Sequence, residues 1–375
     1  MEAFTAWVMH GTLNLCLAGQ HGKLGHGNEE NCHTAKLVSL PETKVIKQVA
    51  VGEQHSLMLT ASGAVFAFGL GAYGALGVDS LEDHHAPTPV GTRSLIAYIA
   101  AGYNQSFAID HDGRAYSFGV NGPWLGHNNL SKSYLWLSSR ASNEKRNVVV
   151  TPRRIGSVSD LKMKSIAVGM KHTLLLTTDG LVYGMGKNRT GCLGLGKGHK
   201  KAVWDAVKID ALASVNIEFV GAGERHSVAV SDVGTIYAFG SGRVPTGMSK
   251  NASHDLPRPL EGTRASAKPL HVAVGPRHTL ILLPSPLLLL PDSKSGYFTV
   301  TESSEVDPRI GEMELGLPLS VRLAVYNYMQ RVPATPRKDS VKATISQNDL
   351  SFVNKLGVGA FGDVWEADDW APTDI

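Results

Sequence analysis

The sequence predicts an all-β fold, a β-propeller of about six four-stranded blades. One triplet of glycines, Gly52, Gly63 and Gly69, recurs three more times further along the chain with the same two internal spacings. Between these glycines the chain consists of short β-rich runs separated by tight turns. Successive copies begin about 50 to 70 residues apart, which is typical of one supersecondary unit repeated in a ring or an array.

Each repeat divides into strands in the same way. In the first full copy, residues 46–51 and 56–60 are β-rich runs that break at Gly52, and a turn then leads into a third run at 65–68. A shorter fourth strand follows and contains proline, as at residues 88–90. Four antiparallel strands per repeat make one propeller blade, whose edges are protected by radial repetition.

A histidine lies three positions after the first glycine of most repeats. His55, His172, His226 and His278 hold this position, and Gln105 replaces the histidine once. Each histidine belongs to a different blade, whereas the ligands of one metal ion must converge to within about 2.1 Å of it. We therefore expect buried, hydrogen-bonded structural histidines near the axis, no metal site and no catalytic residue. The first glycines should lie at equivalent positions around that axis: Gly52, Gly102, Gly169, Gly223 and Gly275.

The copy from Val168 to Gly194 carries the fullest form of the repeat, Val-Gly-Met-Lys-His-Thr through Asp-Gly-Leu-Val-Tyr to Gly-Cys-Leu-Gly. This pattern resembles the repeats of the regulator of chromosome condensation family, and the resemblance covers roughly residues 1–284. It implies a protein-binding propeller, usually closed with seven blades. The copy that reaches Asn121 departs from the family pattern, because it lacks the Gly-x-Leu-Gly close.

The two ends of the array are irregular. Gly22-Lys-Leu-Gly25 matches Gly74-Ala-Leu-Gly77, which places the first glycine of the first copy before Met1. The first blade is therefore expected to lack its innermost strand. At the other end, residues 295–300 resemble the turn and third strand of the last copy. The ring could be smaller than seven blades, truncated at its N-terminus, or closed by a first blade that borrows a strand.

The longest repeat carries its extra length between Gly122 and Thr151. Aromatic and arginine residues on an exposed insertion are typical of interface hot spots. In the family, a wedge inserted into one blade contacts a small GTPase, and this insertion is similar in kind. The alternative is a loop that packs locally. The predicted partner-binding residues are Trp124, Tyr134, Trp136 and Arg140.

Beyond the propeller, which we delimit at residues 1–305, the chain changes character. Residues 318–332 place apolar side chains at helical spacing between two prolines, and 333–348 are polar and are typical of an exposed linker. The prediction is a short C-terminal helix within a linker segment at 306–349. Residues 350–375 form a third segment.

This third segment contains Leu356-Gly-Val-Gly-Ala-Phe-Gly-Asp-Val364, which resembles the glycine-rich loop that opens a protein kinase domain. A dinucleotide-binding turn would need a helix after the glycines, and Asp-Val-Trp-Glu-Ala is more typical of a strand. The resemblance implies nucleotide contacts from Leu356, Gly357, Gly359, Phe361, Gly362 and Val364. The sequence ends at Ile375, before the lysine and aspartates that phosphoryl transfer requires. We therefore expect an incomplete kinase N-lobe, disordered or loosely docked, with ATP and Mg²⁺ relevant only to a complete domain.

Composition leaves the function open among binding and regulatory classes. A formal net charge of +3 and 18% charged residues argue against nucleic acid as the partner. The most apolar window, residues 280–290, is interrupted by prolines and is about half of the ~20 residues that a membrane span needs. Three scattered cysteines favour a reduced compartment, the cytoplasm or alternatively the nucleus. The leading hypothesis is a protein-interaction propeller, the regulatory or targeting module of a propeller-kinase and itself inactive. The alternatives are the N-terminal part of an ATP-dependent kinase and an exchange or scaffold factor for a small GTPase.

Overall fold

The protein is described by a computed structural model, which contains strands and short turns of 3-10 helix over most of its propeller region. It describes residues 4–9, 12–17, 19–40, 45–127, 136–139, 142–199, 201–241, 253–260, 268–269, 271–282, 351–359 and 362–368. No helix within these ranges is long and apolar enough to cross a membrane.

The strands, in chain order, are β1 (Phe4–Met9), β2 (Thr12–Leu17), β3 (Cys32–Leu37), β4 (Ile46–Val51), β5 (His55–Thr60), β6 (Val65–Gly69), β7 (His84–Pro89), β8 (Ile96–Ala101), β9 (Gln105–Asp110), β10 (Ala115–Val120), β11 (Trp136–Ser139), β12 (Ser142–Arg154), β13 (Met163–Val168), β14 (His172–Thr177), β15 (Val182–Lys187), β16 (Ala202–Lys208), β17 (Ile217–Ala222), β18 (His226–Ser231), β19 (Ile236–Ser241), β20 (Ser253–Pro259), β21 (His271–Val274), β22 (Thr279–Leu282), β23 (Ser351–Gly359) and β24 (Gly362–Asp368).

Four repeats form the predicted four-stranded antiparallel blades. Blade 2 is β4 to β7, blade 3 is β8, β9, β10 and β12, blade 4 is β13 to β16, and blade 5 is β17 to β20. The second strand of each is buried along its whole length, as the run His-Ser-Leu-Met-Leu-Thr in β5 illustrates. A strand covered on both faces by neighbouring blades needs such a continuous buried run, in place of alternation. In the described part of blade 6 there are two strands, β21 and β22.

Adjacent blades pack through a large side chain that lies against a glycine. Phe68 of blade 2 lies on Gly25 of blade 1, and Phe239 of blade 5 lies on Gly194 of blade 4. Gly194 has a φ of +65°, and a methyl group there would lie 3.0 Å from the Phe239 ring. Glycine is therefore required both by the backbone conformation and by the close approach. Both phenylalanines are fully buried, and burial of a side chain of this size stabilises the folded state by about 1.5–3 kcal/mol.

The first glycines of the repeats lie next to one another around the axis, as predicted. A methyl group at Gly169 would lie 2.6 Å from the carbonyl oxygen of Gly223, and one at Gly223 would lie 2.8 Å from that of Gly275. Gly52 approaches the carbonyl of Gly102 in the same way. The prediction of equivalent positions on successive blades is therefore confirmed over blades 2 to 6.

The described part of blade 1 contains three strands of its own repeat, and the residues before Phe4 lie outside the described ranges. Its contiguous strands are β1, β2 and β3, and the free edge of β1 pairs in parallel with β24 through Trp7 with Trp365 and Val8 with Glu366. In a complete blade the innermost strand is antiparallel to the second strand. Strand β24 and its hairpin partner β23 thus lie beside β1, and β23 meets β8 at Gly359.

Three predicted segments fall on residues outside the described ranges. They are the helix at 318–332, the linker at 333–348 and the outer strand of blade 6 at 295–300.

Candidate protein-interaction face

The repeat histidines form hydrogen bonds from one blade to the next. His55 Nε2 lies 2.8 Å from Ser106 Oγ in blade 3, and that hydroxyl donates to the Ala75 carbonyl oxygen at 2.6 Å. Because the single hydroxyl proton is used in that bond, His55 Nε2–H must be the donor to the serine oxygen. The bond therefore selects the Nε2–H tautomer of His55.

The same arrangement recurs between later blades. His172 Nε2 lies 2.9 Å from Ser227 Oγ, which donates to the Cys192 carbonyl oxygen at 2.7 Å, and His226 Nε2 lies 3.2 Å from Thr279 Oγ1. Where glutamine replaces histidine, Gln105 Nε2 donates instead to carbonyl oxygens of the blade 4 loop. These contacts bind neighbouring blades together.

Burial favours the neutral form of three of these histidines in the folded protein. Burial lowers the pKa of His55 to about 4, that of His172 to about 4 and that of His226 to about 3. The prediction of buried, hydrogen-bonded histidines is confirmed for these three. His278, in the last described blade, is half-buried, so the burial part of the prediction does not hold for it.

Two sets of connections share one end of the propeller. One set joins the first and second strands of each blade, and the other leaves the third strand. In blade 2 the two lie side by side, because the Leu70 N–H donates to the Gln54 carbonyl. The same bond joins Val120 to Asn104 in blade 3 and Ser241 to Arg225 in blade 5. We call this end the hairpin face, after the insertion that it carries in blade 3.

Charged residues gather near the axis on the hairpin face. Arg277 Nε of blade 6 donates to Glu224 Oε2 of blade 5 at 2.7 Å, and Glu224 is 14% exposed whereas Arg277 is 79% exposed. Burial and the negative charges of Glu224 and Glu53 raise the pKa of the Tyr103 hydroxyl. Residues from blades 2, 3, 5 and 6 therefore influence one another across the axis. We call Glu53, Tyr103, Glu224 and Arg277 the axial cluster.

The insertion of blade 3 forms a β-hairpin on the hairpin face. Strand β11 pairs with the first part of β12, from Trp136 with Asn147 to Ser138 with Lys145, and the second part of β12 pairs with β10 in the blade. Because β12 continues without a break from the insertion into the blade, the hairpin extends the blade. Its base is closed by the bond from the Asn121 N–H to the Asn147 carbonyl at 2.9 Å.

Trp124 was predicted as part of an exposed wedge, and that prediction is wrong. Its side chain is half-buried against the core of blades 3 and 4, its Nε1–H donates to the Val120 carbonyl at 2.9 Å, and Lys187 Nζ lies 5.8 Å from its ring centroid. The Trp124 carbonyl accepts from the Thr173 hydroxyl of blade 4, as the Ala75 carbonyl accepts from Ser106. Trp124 thus occupies the position that Lys23, Ala75 and Cys192 hold in the Gly-x-Leu-Gly turns of the other repeats.

This copy lacks the full Gly-x-Leu-Gly close, as the sequence indicates, but the structure keeps the Leu-Gly part of it. Gly126 lies against Met185 of the next blade, as Gly77 lies against Phe118. Leu125 and Gly126 therefore supply the Leu-Gly close, and only the glycine at the start of the close has changed, to Pro123. Of the other predicted partner residues, Trp136 begins β11, while Tyr134 and Arg140 lie outside the described ranges.

The glycine-rich segment lies in the hairpin β23–β24. Leu356, Gly357 and Gly359 are in β23, Gly362 and Val364 are in β24, and Gly359 pairs with Gly362 at the turn. Phe361 lies outside the described ranges. The described residues pair with propeller strands at Trp7 with Trp365, Val8 with Glu366 and Ala101 with Gly359, and the expectation of a disordered or loosely docked segment stays a prediction. The nucleotide contacts of this segment stay a prediction.

The repeats, the blade topology and the inter-blade bonds define a protein of the repeat-built β-propeller class. Within that class the sequence matches the RCC1-like domain family over residues 2–281, so the chain belongs to that family.

Relatives and solved structures are consistent with this assignment. The chain is 29% identical over 267 residues to the ultraviolet-B receptor UVR8 of Arabidopsis thaliana, a match that covers 70% of this chain and 56% of that protein. The chain thus spans only about half the length of this relative. Yeast RCC1 (Prp20), solved with Kap60, is 25% identical with a TM-score of 0.59 over 72% of this chain and 61% of that one. A structure of Prp20p from Saccharomyces cerevisiae, described with its binding properties to Gsp1p and histones, gives 24% identity and a TM-score of 0.55 over 70% and 62%.

Proposed function

We propose that this chain is a protein-interaction module whose hairpin face binds a protein partner. The observation that carries the proposal is the continuity of β12, which holds the β11–β12 hairpin as an extension of blade 3 on the same end as the axial cluster. A hairpin that is already paired loses little conformational freedom when it binds, so more of the contact energy appears as affinity. The proposed surface is therefore preorganised.

The axial cluster supplies the polar part of this surface. Arg277 is 79% exposed although Glu224 holds its Nε–H, and the planar guanidinium keeps further donors for a partner carboxylate. Arg225, 67% exposed, lies beside the same glutamate, with its Nε 3.4 Å from Glu224 Oε1. Exposed arginines held at a defined position are favoured anchors in protein interfaces.

The partner class that we propose is a small GTPase, with nucleotide exchange or scaffolding as the activity. Two lines of support are the wedge that the family inserts into one blade and the binding of Prp20p to Gsp1p and histones named with its structure. Histones are the second partner class to test. A nuclear or cytoplasmic location belongs to the same proposal.

Replacement of Trp136 and Arg140 by alanine together should weaken partner binding by about thirtyfold or more, because loss of interface anchors commonly costs about 2 kcal/mol. Thermal unfolding should change little, since β11 pairs with β12 outside the blade and such positions rarely shift stability by more than about 0.5 kcal/mol. Biolayer interferometry against Gsp1p, a panel of small GTPases and core histones measures the affinities.

The control for this test is Val233→Ala. Val233 is 68% exposed in the turn between the second and third strands of blade 5, at the end opposite the hairpin face, so its loss should leave binding unchanged. Equal affinity of the double variant and the wild type would contradict the proposed face. Absence of binding to every GTPase tested would contradict the partner class.

A second proposal concerns the parent protein, which we infer to be a propeller-kinase. It is supported by the glycine-rich motif and by the antiparallel β23–β24 hairpin that turns between Gly359 and Gly362, since a kinase glycine-rich loop is also a hairpin. Residues 1–375 should neither transfer phosphate nor bind ATP at millimolar concentration, because the glycine-rich loop alone offers backbone amides to the phosphates without the metal site of a kinase. Mg²⁺-dependent ATP binding in calorimetry that Gly359→Ala abolishes would refute this expectation.

A further inference from the structure

A cluster of imidazole and carboxylate groups lies at the boundary between blades 1 and 2 on the hairpin face. His21 Nδ1 lies 3.1 Å from Asp83 Oδ2, and His85 Nε2 lies 3.2 Å from Glu29 Oε1. One ligating atom from each of His21, Glu29 and Asp83 lies within 4.8 Å of the others. Blade 1 supplies His21 and Glu29, and blade 2 supplies Asp83 and His85.

We propose that these four side chains bind a divalent transition-metal ion of the Zn²⁺ type, which fastens blade 1 to blade 2. Imidazole nitrogen and carboxylate oxygen together are ligands that Zn²⁺ prefers, at about 2.0–2.2 Å. In a tetrahedral site with bonds of that length, neighbouring ligand atoms lie roughly 3.4 Å apart. The two pairs of atoms above, at 3.1 Å and 3.2 Å, are close to this separation. His85 joins this set through Glu29, whose side chain is 55% exposed and lies beside it.

The backbone holds the ligands of this site in place. The Gly71 N–H donates to Asp83 Oδ1 at 2.9 Å, which leaves Oδ2 directed to His21. His21 itself has a left-handed backbone with a φ of 59°, and the next residue, Gly22, lies directly on the His85 backbone. Hydrogen bonds of this kind orient the ligands of protein metal sites and raise their affinity.

The corresponding boundary between blades 4 and 5 does not carry this ligand set. Gly191 lies on Asp255 there as Gly22 lies on His85, and Thr190 precedes it where His21 precedes Gly22. The repeat therefore does not require histidines at these positions for packing. At the first boundary the ion adds to the contacts that already hold blade 1 on blade 2, such as Phe68 on Gly25 and Gly22 on His85.

The test uses the chain of 375 residues without a histidine tag, stripped of metal and titrated with ZnCl₂ by calorimetry and with CoCl₂ by absorption spectroscopy. We expect one ion per chain, a visible Co²⁺ spectrum with the intensity of a four-coordinate site, and a rise in melting temperature on saturation. His85→Gln and Glu29→Gln should each weaken Zn²⁺ binding at least tenfold. His111→Gln, at an exposed position in the turn of blade 3, is the control and should bind as the wild type does.

Circular dichroism of each metal-free variant checks its fold before titration. Because Glu29 is exposed, its amide variant keeps the test valid even where a histidine variant unfolds. Equal Zn²⁺ affinity of Glu29→Gln and the wild type would overturn the proposal, as would binding without a defined stoichiometry or an octahedral Co²⁺ spectrum that the His111 variant shares.

Discussion

Acidification from pH 7.5 to pH 5 should remove about 6 kcal/mol of folding free energy through the inter-blade histidines alone. His55, His172 and His226 have pKa values of about 4, 4 and 3 in the folded protein and 6.5 when exposed. Each pKa unit corresponds to about 1.36 kcal/mol, so at pH 5 each histidine costs about 2 kcal/mol. Domains of this kind are stable by about 5–15 kcal/mol, so the loss is a large part of the total.

The sign follows from which state binds the proton. Below pH 6.5 the unfolded chain takes up protons on these imidazoles while the folded chain holds them neutral, because Nε2–H is committed to a hydroxyl and burial disfavours the charged ring. The folded state therefore has its full stability with respect to these imidazoles above pH 6.5, and it loses stability as the pH falls toward about 4. Urea unfolding followed by circular dichroism at several pH values measures this dependence.

The repeat itself provides the matched variant. Gln105 holds the histidine position in blade 3 and bonds to the next blade with an amide, so His172→Gln is compatible with the fold. Between pH 7.5 and pH 5 this variant should lose about 2 kcal/mol less than the wild type, because it has one inter-blade imidazole fewer to protonate. His111→Gln, at an exposed site, should follow the wild type. An identical pH dependence for His172→Gln and the wild type would refute the assignment of acid sensitivity to these histidines.

Repetition explains why the blades could be predicted and the interaction face could not. Four copies of one pattern predict the strands, the axial glycines and the buried histidines, because a feature that recurs in register must have one structural cause. The serine partners of the histidines were not predicted. Each repeat nevertheless has a hydroxyl residue directly after its histidine or glutamine position, as at Ser56, Ser106, Thr173 and Ser227. That recurrence was a usable signal.

Residues that occur in a single copy gave no such comparison. Trp124 has no counterpart of its size, so it was assigned to the insertion, whereas its carbonyl and backbone keep the role of Ala75. The histidine and carboxylate cluster joins residues 21, 29, 83 and 85 across two blades, and no local spacing indicates that they meet. The packing of blade 1 on blade 2, including Gly22 on His85, brings them together.

Gly169→Ala should destabilise the propeller by roughly 2–6 kcal/mol at neutral pH. The added methyl group would lie 2.6 Å from the Gly223 carbonyl oxygen and 2.7 Å from His172 Nδ1, and it would contact His172 Cε1 more closely still. Overpacking of this kind costs about 1–3 kcal/mol. Displacement of the imidazole would also break its bond to Ser227, which leaves buried groups unsatisfied at a further cost of about 1–3 kcal/mol.

The control for this variant is Gly91→Ala, because a methyl group at Gly91 has no atom within 4 Å and the backbone does not need glycine. Such a change is neutral or stabilises by about 0.4–1 kcal/mol through the unfolded chain. Differential scanning calorimetry of both variants compares the two effects directly, and we expect Gly169→Ala to melt about 10 °C or more below the wild type. Neighbouring blades meet at the axial glycines. If Gly169→Ala melted within about 2 °C of Gly91→Ala, the two blades could not approach each other as closely as the contact between Gly169 and Gly223 requires.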